Sequence, residues 1–138
     1  MVWCLAEKVS VFRILIIEDN RSFRKMFIEN LHWSFSSLNI EEAENGLEAL
    51  GKIAESPPDL IITDWRLPGI GGLELIQKIK KDFPHIPVII MSGYDLPEYR
   101  EAALKEGVEA FFVKGSSMQE EIDVFLEKRF PNQLIRVS

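Results

Sequence analysis

The chain has 138 residues, a formal net charge of −6, 46% hydrophobic residues and 28% charged residues, values typical of one globular domain and not of a basic nucleic-acid-binding protein. Cys4 is the single cysteine, so an internal disulfide is excluded and a reducing, cytoplasmic location is expected. No apolar run approaches the roughly 20 residues of a membrane span, and the opening "MVWCLA" lacks the basic region of a signal peptide.

The first half of the chain alternates strand-like and helix-like segments. In chain order, the hydrophobic pattern predicts a strand over Val11–Ile17, a helix over Ser22–Trp33, a weak strand over Leu38–Ala43, a helix over Glu44–Glu55 and a strand over Leu60–Thr63. The second strand is weak because "LNIEEA" has only three apolar residues. A Pro-Pro pair follows the second helix and ends it.

The second half continues the same alternation. It predicts a helix over Leu73–Lys81, a strand over Pro87–Met91, a helix over Pro97–Glu106, a strand over Ala110–Val113 and a helix from Ser116 or Ser117 to Arg129. Gly107 is expected to be the glycine that follows the fourth helix.

Three local predictions concern helix faces and caps. Ser117 and Glu120 have the spacing of a capping box for the last helix. The helical spacing of apolar residues also predicts which side chains face the core. These are Phe23, Met26, Phe27 and Leu31 in the first helix and Leu73, Ile76 and Ile79 in the third.

Five strand–helix repeats predict an α/β fold in which a parallel sheet carries helices on both faces. The continuously apolar runs "ILII", "LIIT" and "PVIIM" are typical of central strands in such a sheet. Ligands of these folds bind outside the carboxyl ends of the strands. The residues that follow each strand are therefore the candidate site.

Polar residues follow four of the five predicted strands. Glu18 and Asp19 follow the first, Asp64 the third, Ser92 the fourth and Lys114 the fifth. Clustered carboxylates repel one another, and a single lysine balances only part of their charge. An all-oxygen set suits Mg²⁺. A site with Mg²⁺, an ammonium and a hydroxyl can bind a phosphoryl group, and a carboxylate placed there can act as its nucleophile.

Four sequence blocks carry a resemblance to a known family. "ILIIEDN", "LIITDWRLPGIGG", "VIIMSGY" and "AFFVKG" resemble, in order and spacing, the motifs of response-regulator receiver domains from two-component signalling. The match covers about Phe12 to Arg129. It implies a flavodoxin-like, doubly wound (βα)5 fold with a five-stranded parallel sheet in the strand order 2-1-3-4-5.

The resemblance implies roles for the acidic residues and the loop after them. Asp64 would be the phosphoacceptor and a metal ligand. Asp19 would bind Mg²⁺ directly, and Glu18 would assist through water. The backbone carbonyl of Arg66 would be a further ligand.

It also implies roles at the fourth and fifth strands. Ser92 and Lys114 would bind the phosphoryl group. Ser92 and Phe111 would form a switch, in which Phe111 turns inward as Ser92 moves. The family's usual lysine-proline pair is here Lys114 followed by Gly115.

The function implied is a signalling receiver, not a metabolic enzyme. It would take a phosphoryl group from a sensor histidine kinase or a histidine phosphotransfer protein and change the face formed by the fourth helix, fifth strand and fifth helix. An output domain, a partner protein or a second copy in a phosphorylation-dependent homodimer would sense the change. The chain itself is expected to contact neither membrane nor nucleic acid.

The expected domain organisation is an extension over residues 1–10, a receiver domain over 11–130 and a tail over 131–138. The chain would stand alone or belong to a larger response regulator or hybrid kinase.

Three other functions are alternatives for a domain of this kind. A haloacid-dehalogenase-like phosphatase needs a second acid two residues after Asp64, where the chain has Arg66. A flavodoxin-like cofactor module needs a Ser/Thr/Gly phosphate loop after the first strand, where the chain has Glu18, Asp19 and Asn20. The third alternative is a pseudo-receiver, which binds metal but no longer receives phosphate.

Overall fold

The computed structural model describes residues 11–137, so the expected extension over residues 1–10 lies outside the described part. The elements are β1 Phe12–Ile17, α1 Arg21–Ser34, β2 Phe35–Ser36, β3 Leu38–Ala43, α2 Gly46–Glu55, β4 Leu60–Asp64, α3 Gly72–Asp82, β5 Val88–Ser92, α4 Pro97–Lys105, β6 Ala110–Val113, α5 Met118–Arg129 and β7 Ile135–Arg136. Among these residues, no helix is both long enough and apolar enough to cross a bilayer.

The five longer strands form one sheet in the order β3-β1-β4-β5-β6. All four neighbouring pairs are parallel. Since β2 has only two residues and lies outside this sheet, the order is the predicted 2-1-3-4-5 of the main strands. The predicted α/β fold is therefore confirmed.

Alternate residues of β1 face opposite sides of the sheet, as the two-residue period of a strand requires. Ile14 and Ile16 belong to a core that α1 and α5 cover, and Leu15 and Ile17 belong to a second core that α2, α3 and α4 cover. Both faces are thus buried, which explains why the central strands are continuously apolar.

The helix ends confirm one prediction, correct another and show one cap that was not predicted. Asn20 caps α1, because its Oδ1 accepts a hydrogen bond from the Phe23 amide at 3.0 Å. Gly107 follows α4 with φ of 90°, as predicted. The predicted capping box of α5 is wrong, because Ser117 makes no capping hydrogen bond through its side chain. Glu120 instead accepts from Arg136 at 3.1 Å.

Two predicted core positions are also wrong. Met26 is 52% exposed, and Leu73 is only half-buried. The first error arises because Arg24 takes the inward position on α1, where its guanidinium bonds to the backbone oxygen of Glu18 and to the carboxylate of Glu42. In α3, Leu75 is fully buried and takes the core position that was predicted for Leu73.

Residues after α5 form a small ribbon with the residues after α1. β7 pairs antiparallel with β2, and the Val137 amide donates to the Ser34 backbone oxygen at 2.8 Å. Leu134 is buried. Arg136 lies 3.1 Å from Glu120, 3.6 Å from Glu127 and 3.9 Å from Asp123, all on α5. The sequence pattern does not predict this ribbon, because a two-residue strand has no periodicity.

Candidate functional site

Three carboxylates meet at the carboxyl end of the sheet. Glu18 and Asp19 directly follow β1, and Asp64 is the last residue of the neighbouring β4. One carboxylate oxygen from each lies within 4.8 Å of the others. Glu18 is 1% exposed and Asp64 is 7% exposed, whereas Asp19 faces solvent. The predicted acidic group is therefore assembled, with two buried members and one open to water.

Lys114 reaches this group from the end of β6. Its Nζ lies 2.6 Å from Glu18 Oε1 and 3.2 Å from Asp64 Oδ2. The Lys114 amide donates to the Ser92 backbone oxygen at 2.7 Å, which fixes the start of the side chain. The lysine thus bridges the two buried carboxylates.

The negative charges of this group are not fully balanced by the Lys114 ammonium. Burial raises the pKa of Glu18, and the nearby charge of Asp64 raises it further, although hydrogen bonds from Lys114 and the Asn20 amide act in the opposite direction. For Lys114, burial alone would lower the pKa, but the hydrogen bond to Glu18 and the charge of Asp64 outweigh burial and raise it. One ammonium therefore does not compensate the carboxylates fully.

The donor set fits Mg²⁺. Three carboxylate oxygens that lie close together with uncompensated charge provide the hard ligands that this ion prefers, with room for water on the exposed side at Asp19. The Arg66 amide donates to Asp64 Oδ1 at 3.4 Å, which brings the Arg66 backbone next to the acidic group. The role of its carbonyl as a ligand stays a prediction.

Ser92 lies on the strand next to Asp64, since Asp64 is paired with Met91 in the register of β4 and β5. The serine is buried. Its Oγ donates to the Tyr94 backbone oxygen at 2.9 Å and accepts from the Tyr94 amide at 3.1 Å. The hydroxyl must leave the Tyr94 oxygen before it can donate to a group bound at Asp64.

Phe111 is already turned inward in this structure, where it is 6% exposed. Its ring lies 6.3 Å from that of Trp65, which follows Asp64 in the chain. The Arg100 guanidinium lies 4.9 Å above the Phe111 ring and donates to the Phe111 backbone oxygen at 3.1 Å. The predicted inward turn would therefore start from a position that is largely buried, and the switching role stays a prediction.

Two side-chain contacts that support the site were not predicted from the sequence. Arg24 holds the backbone of Glu18, as described above, from the inward face of α1. Arg66 donates to the Tyr99 hydroxyl at 2.8 Å and lies 4.4 Å from the centre of the Tyr94 ring. An arginine within the apolar stripe of α1 was the sequence feature that could have indicated the first contact. The second joins residues far apart in the chain and has no local pattern.

The family model for the response regulator receiver domain matches residues 14–135. The chain therefore belongs to the response regulator receiver domain family. Receiver domains are signalling modules of two-component systems, in which response regulators work with kinases and output domains.

Relatives of known sequence and structure agree with this assignment. The chemotaxis protein CheY-3 of Vibrio cholerae is 30% identical over 121 residues, which cover 84% of this chain and 92% of CheY-3. The uncharacterized transcriptional regulatory protein YesN of Bacillus subtilis is 34% identical over 111 residues, and this chain covers only 30% of its length. A CheY-like receiver domain from Methanospirillum hungatei superposes with a TM-score of 0.80 at 26% identity, over 90% of this chain and 97% of that one.

Proposed function

We propose that this chain is a phosphorylation-controlled signalling receiver that accepts a phosphoryl group on Asp64 with the help of Mg²⁺. The observation that supports this most directly is the bridge from Lys114 to Asp64, at 3.2 Å, inside the cluster of three carboxylates. A buried carboxylate beside an ammonium can act as a nucleophile towards a phosphoryl group whose charge the ammonium neutralises.

In the proposed reaction, a carboxylate oxygen of Asp64 forms a bond to the phosphorus of a phosphohistidine on a partner, and the phosphorus–nitrogen bond breaks. The partner imidazole leaves with the electron pair of that bond and takes a proton from solvent. Lys114 then moves onto a phosphoryl oxygen, and Ser92 donates to another after it leaves the Tyr94 backbone. Mg²⁺ held by Glu18, Asp19, Asp64 and the Arg66 carbonyl would supply further charge neutralisation.

The donor would be a sensor histidine kinase or a histidine phosphotransfer protein in the cytoplasm. The phosphoryl group would shift the balance between two arrangements of the face formed by α4, β6 and α5, with Ser92 and Phe111 as the switch residues. An output domain, a partner protein or a second copy of the chain would sense that face. The chain would catalyse only its own phosphorylation and dephosphorylation.

Intact-mass measurement tests the proposal. After treatment with acetyl phosphate and Mg²⁺, we expect one added phosphoryl group, which hydroxylamine removes because it is an acyl phosphate. Asp64→Asn should abolish the added mass. Full labelling of the Asp64→Asn variant, or no labelling of the wild type by either acetyl phosphate or a phosphohistidine donor, would refute the proposal.

A further inference from the structure

The ammonium of Lys114 has a third neighbour besides the two carboxylates. Its Nζ lies 4.3 Å from the centre of the Phe23 ring. A lysine carries three N–H donors, of which Glu18 and Asp64 take two. The face of an aromatic ring carries partial negative charge and attracts a cation at this distance. The ring is therefore a third attractive neighbour of the ammonium, besides the two carboxylates.

We infer that Phe23 is a positioning residue, which holds the Lys114 ammonium beside Asp64. This inference rests on the proposed phosphorylation of Asp64, since it gives Phe23 a part in that reaction. The part is electrostatic, because the ring offers no hydrogen-bond acceptor and no nucleophile. The contact between ring and ammonium is present before any phosphoryl group arrives.

Phe23 is held in place through both its backbone and its ring. The Phe23 backbone amide donates to Asn20 Oδ1 at 3.0 Å, which ties the residue to the loop that carries the acidic residues. Its ring stacks on that of Phe27, with centroids 6.1 Å apart and planes 14° apart. Phe27 is 1% exposed and belongs to the core under α1. The ring is thus a fixed surface against which the flexible lysine can rest.

The contribution of the Phe23 ring to the position of Lys114 should be largest when Glu18 and Asp64 bind Mg²⁺. Glu18 and Asp64, the hydrogen-bond partners of Lys114, are also candidate ligands for Mg²⁺. If Mg²⁺ were held there, its charge would repel the ammonium, and the two cations would compete for those oxygens. The ring does not ligate Mg²⁺, so its attraction for Lys114 remains. Phe23 therefore keeps the ammonium near the place where a phosphoryl oxygen would arrive.

The first test measures the contact itself and needs no phosphodonor. Because the protons next to the Lys114 ammonium lie over the ring, their NMR signals should be displaced upfield in the wild type. Phe23→Leu should return them to ordinary lysine positions, while Phe23→Tyr and Phe23→Trp should keep them displaced. Phe125→Leu is the matched control. Phe125 packs against Phe112 in a pair of partly buried aromatic rings, so the substitution makes the same change without touching the contact between Phe23 and Lys114.

The second test measures the rate of labelling by acetyl phosphate at saturating Mg²⁺. Phe23→Leu should lower the maximal rate about two- to thirtyfold, the range that corresponds to the free energy of a cation–π contact, with Mg²⁺ affinity unchanged. Phe23→Tyr and Phe23→Trp should restore the rate. Equal losses in Phe23→Leu and Phe125→Leu, or no loss in either, would overturn the inference.

The two tests separate the inference from the proposed function. If the wild type takes up no phosphoryl group, the proposed function and the catalytic part of the inference both fail, while the displaced Lys114 signals would still establish the contact. If labelling proceeds but the Lys114 signals are the same in wild type and Phe23→Leu, the inference alone is wrong.

Discussion

The residue that sets the charge balance of the site is Glu18. It is buried, bridged to Lys114 at 2.6 Å and close to two other carboxylates. Its raised pKa means that the folded protein favours the protonated form more than the unfolded chain does. Without metal, the free energy of unfolding is therefore expected to be lower when Glu18 is charged than when it is protonated.

This gives a prediction for stability against pH in the absence of metal. A raised pKa in the folded state adds stability below the ordinary glutamate pKa of 4.5, and that contribution is lost as pH rises through the raised value. Glu18→Gln, which mimics the protonated form and can still accept from Lys114, should be more stable than wild type at neutral pH, and the difference should shrink in acid. Urea unfolding in EDTA at several pH values measures this.

Glu101→Gln, on the exposed surface of α4, is the control for that series and should show no such dependence. A Glu18→Gln variant that is less stable than wild type at neutral pH would contradict the argument, because it would mean that the Lys114 bridge outweighs burial.

The exposed acid of the group, Asp19, is expected to dominate metal binding. Asp19→Ala should remove most of the Mg²⁺ affinity while the fold is retained, since this side chain lies at the surface. In the wild type, Mg²⁺ at a hundred times its Kd should stabilise the fold by about 2.7 kcal/mol, and this gain should be lost in the variant. Calorimetric titration and thermal unfolding measure the two effects. An unchanged titration would show that Asp19 is not a ligand.

At the scale of elements, the link between β4 and α3 places the backbone next to Asp64. The Gly72 amide donates to the Trp65 backbone oxygen at 3.1 Å. A Cβ atom at Gly72 would lie 2.2 Å from that same oxygen, whereas one at Gly71 would meet no atom within 4 Å. The start of α3 is therefore packed directly against the residue that follows the candidate phosphoacceptor.

Gly72→Ala should destabilise the protein, because the added methyl group forces the backbone of Trp65 to shift. We expect a cost of about 1–3 kcal/mol in the free energy of unfolding, together with slower labelling of Asp64. Gly71→Ala, one residue earlier in the chain, should cost much less, because the added methyl group meets no atom there and only the N-cap preference of α3 is changed. Equal stability of the two variants in urea unfolding would show that the link can relax without cost.

The elements also show what sequence can and cannot predict. The parallel sheet and the assembly of Glu18, Asp19, Asp64 and Lys114 follow from apolar strands whose ends carry polar residues, a pattern local to each strand. The order of the strands does not follow from that pattern and was implied only by the resemblance to receiver domains. The inward position of Arg24, and with it the exposure of Met26, depends on a hydrogen bond from Arg24 to Glu42, which lies on β3. The capping box of α5 was predicted wrongly because Glu120 accepts a hydrogen bond from Arg136, which lies in the ribbon. Long-range polar contacts of this kind leave no periodic pattern.

At the scale of the whole molecule, packed side chains join the surroundings of Asp64 to the face of α4, β6 and α5. Trp65 contacts both Tyr99 and Phe111, with ring centroids 5.6 and 6.3 Å apart. Arg100 holds the backbone of Phe111 from α4. We therefore expect a change at Asp64 or Ser92 to bias the position of α4 relative to β6 without a large movement of Phe111.

Amide NMR spectra with and without a beryllofluoride mimic of the phosphoryl group measure how far this bias extends. We expect shifts first at Ser92 and Tyr94, where the serine hydroxyl changes partner, and then through residues 95–129. Ser92→Ala should still bind the mimic but show weaker shifts on α4. Shifts confined to the loops around Asp64 would mean that the protein does not signal through this face.

The ribbon of β2 and β7 has a consequence for the order of events during synthesis. Phe35 and its partner Arg136 are paired in space but are made about a hundred residues apart. The core shared by α1 and α5 also needs Ile122, Leu126 and Leu134. On the ribosome, the opposite side of the sheet can therefore acquire its helices earlier, while the α1 side keeps apolar surface open until the segment from α5 to β7 has left the exit tunnel.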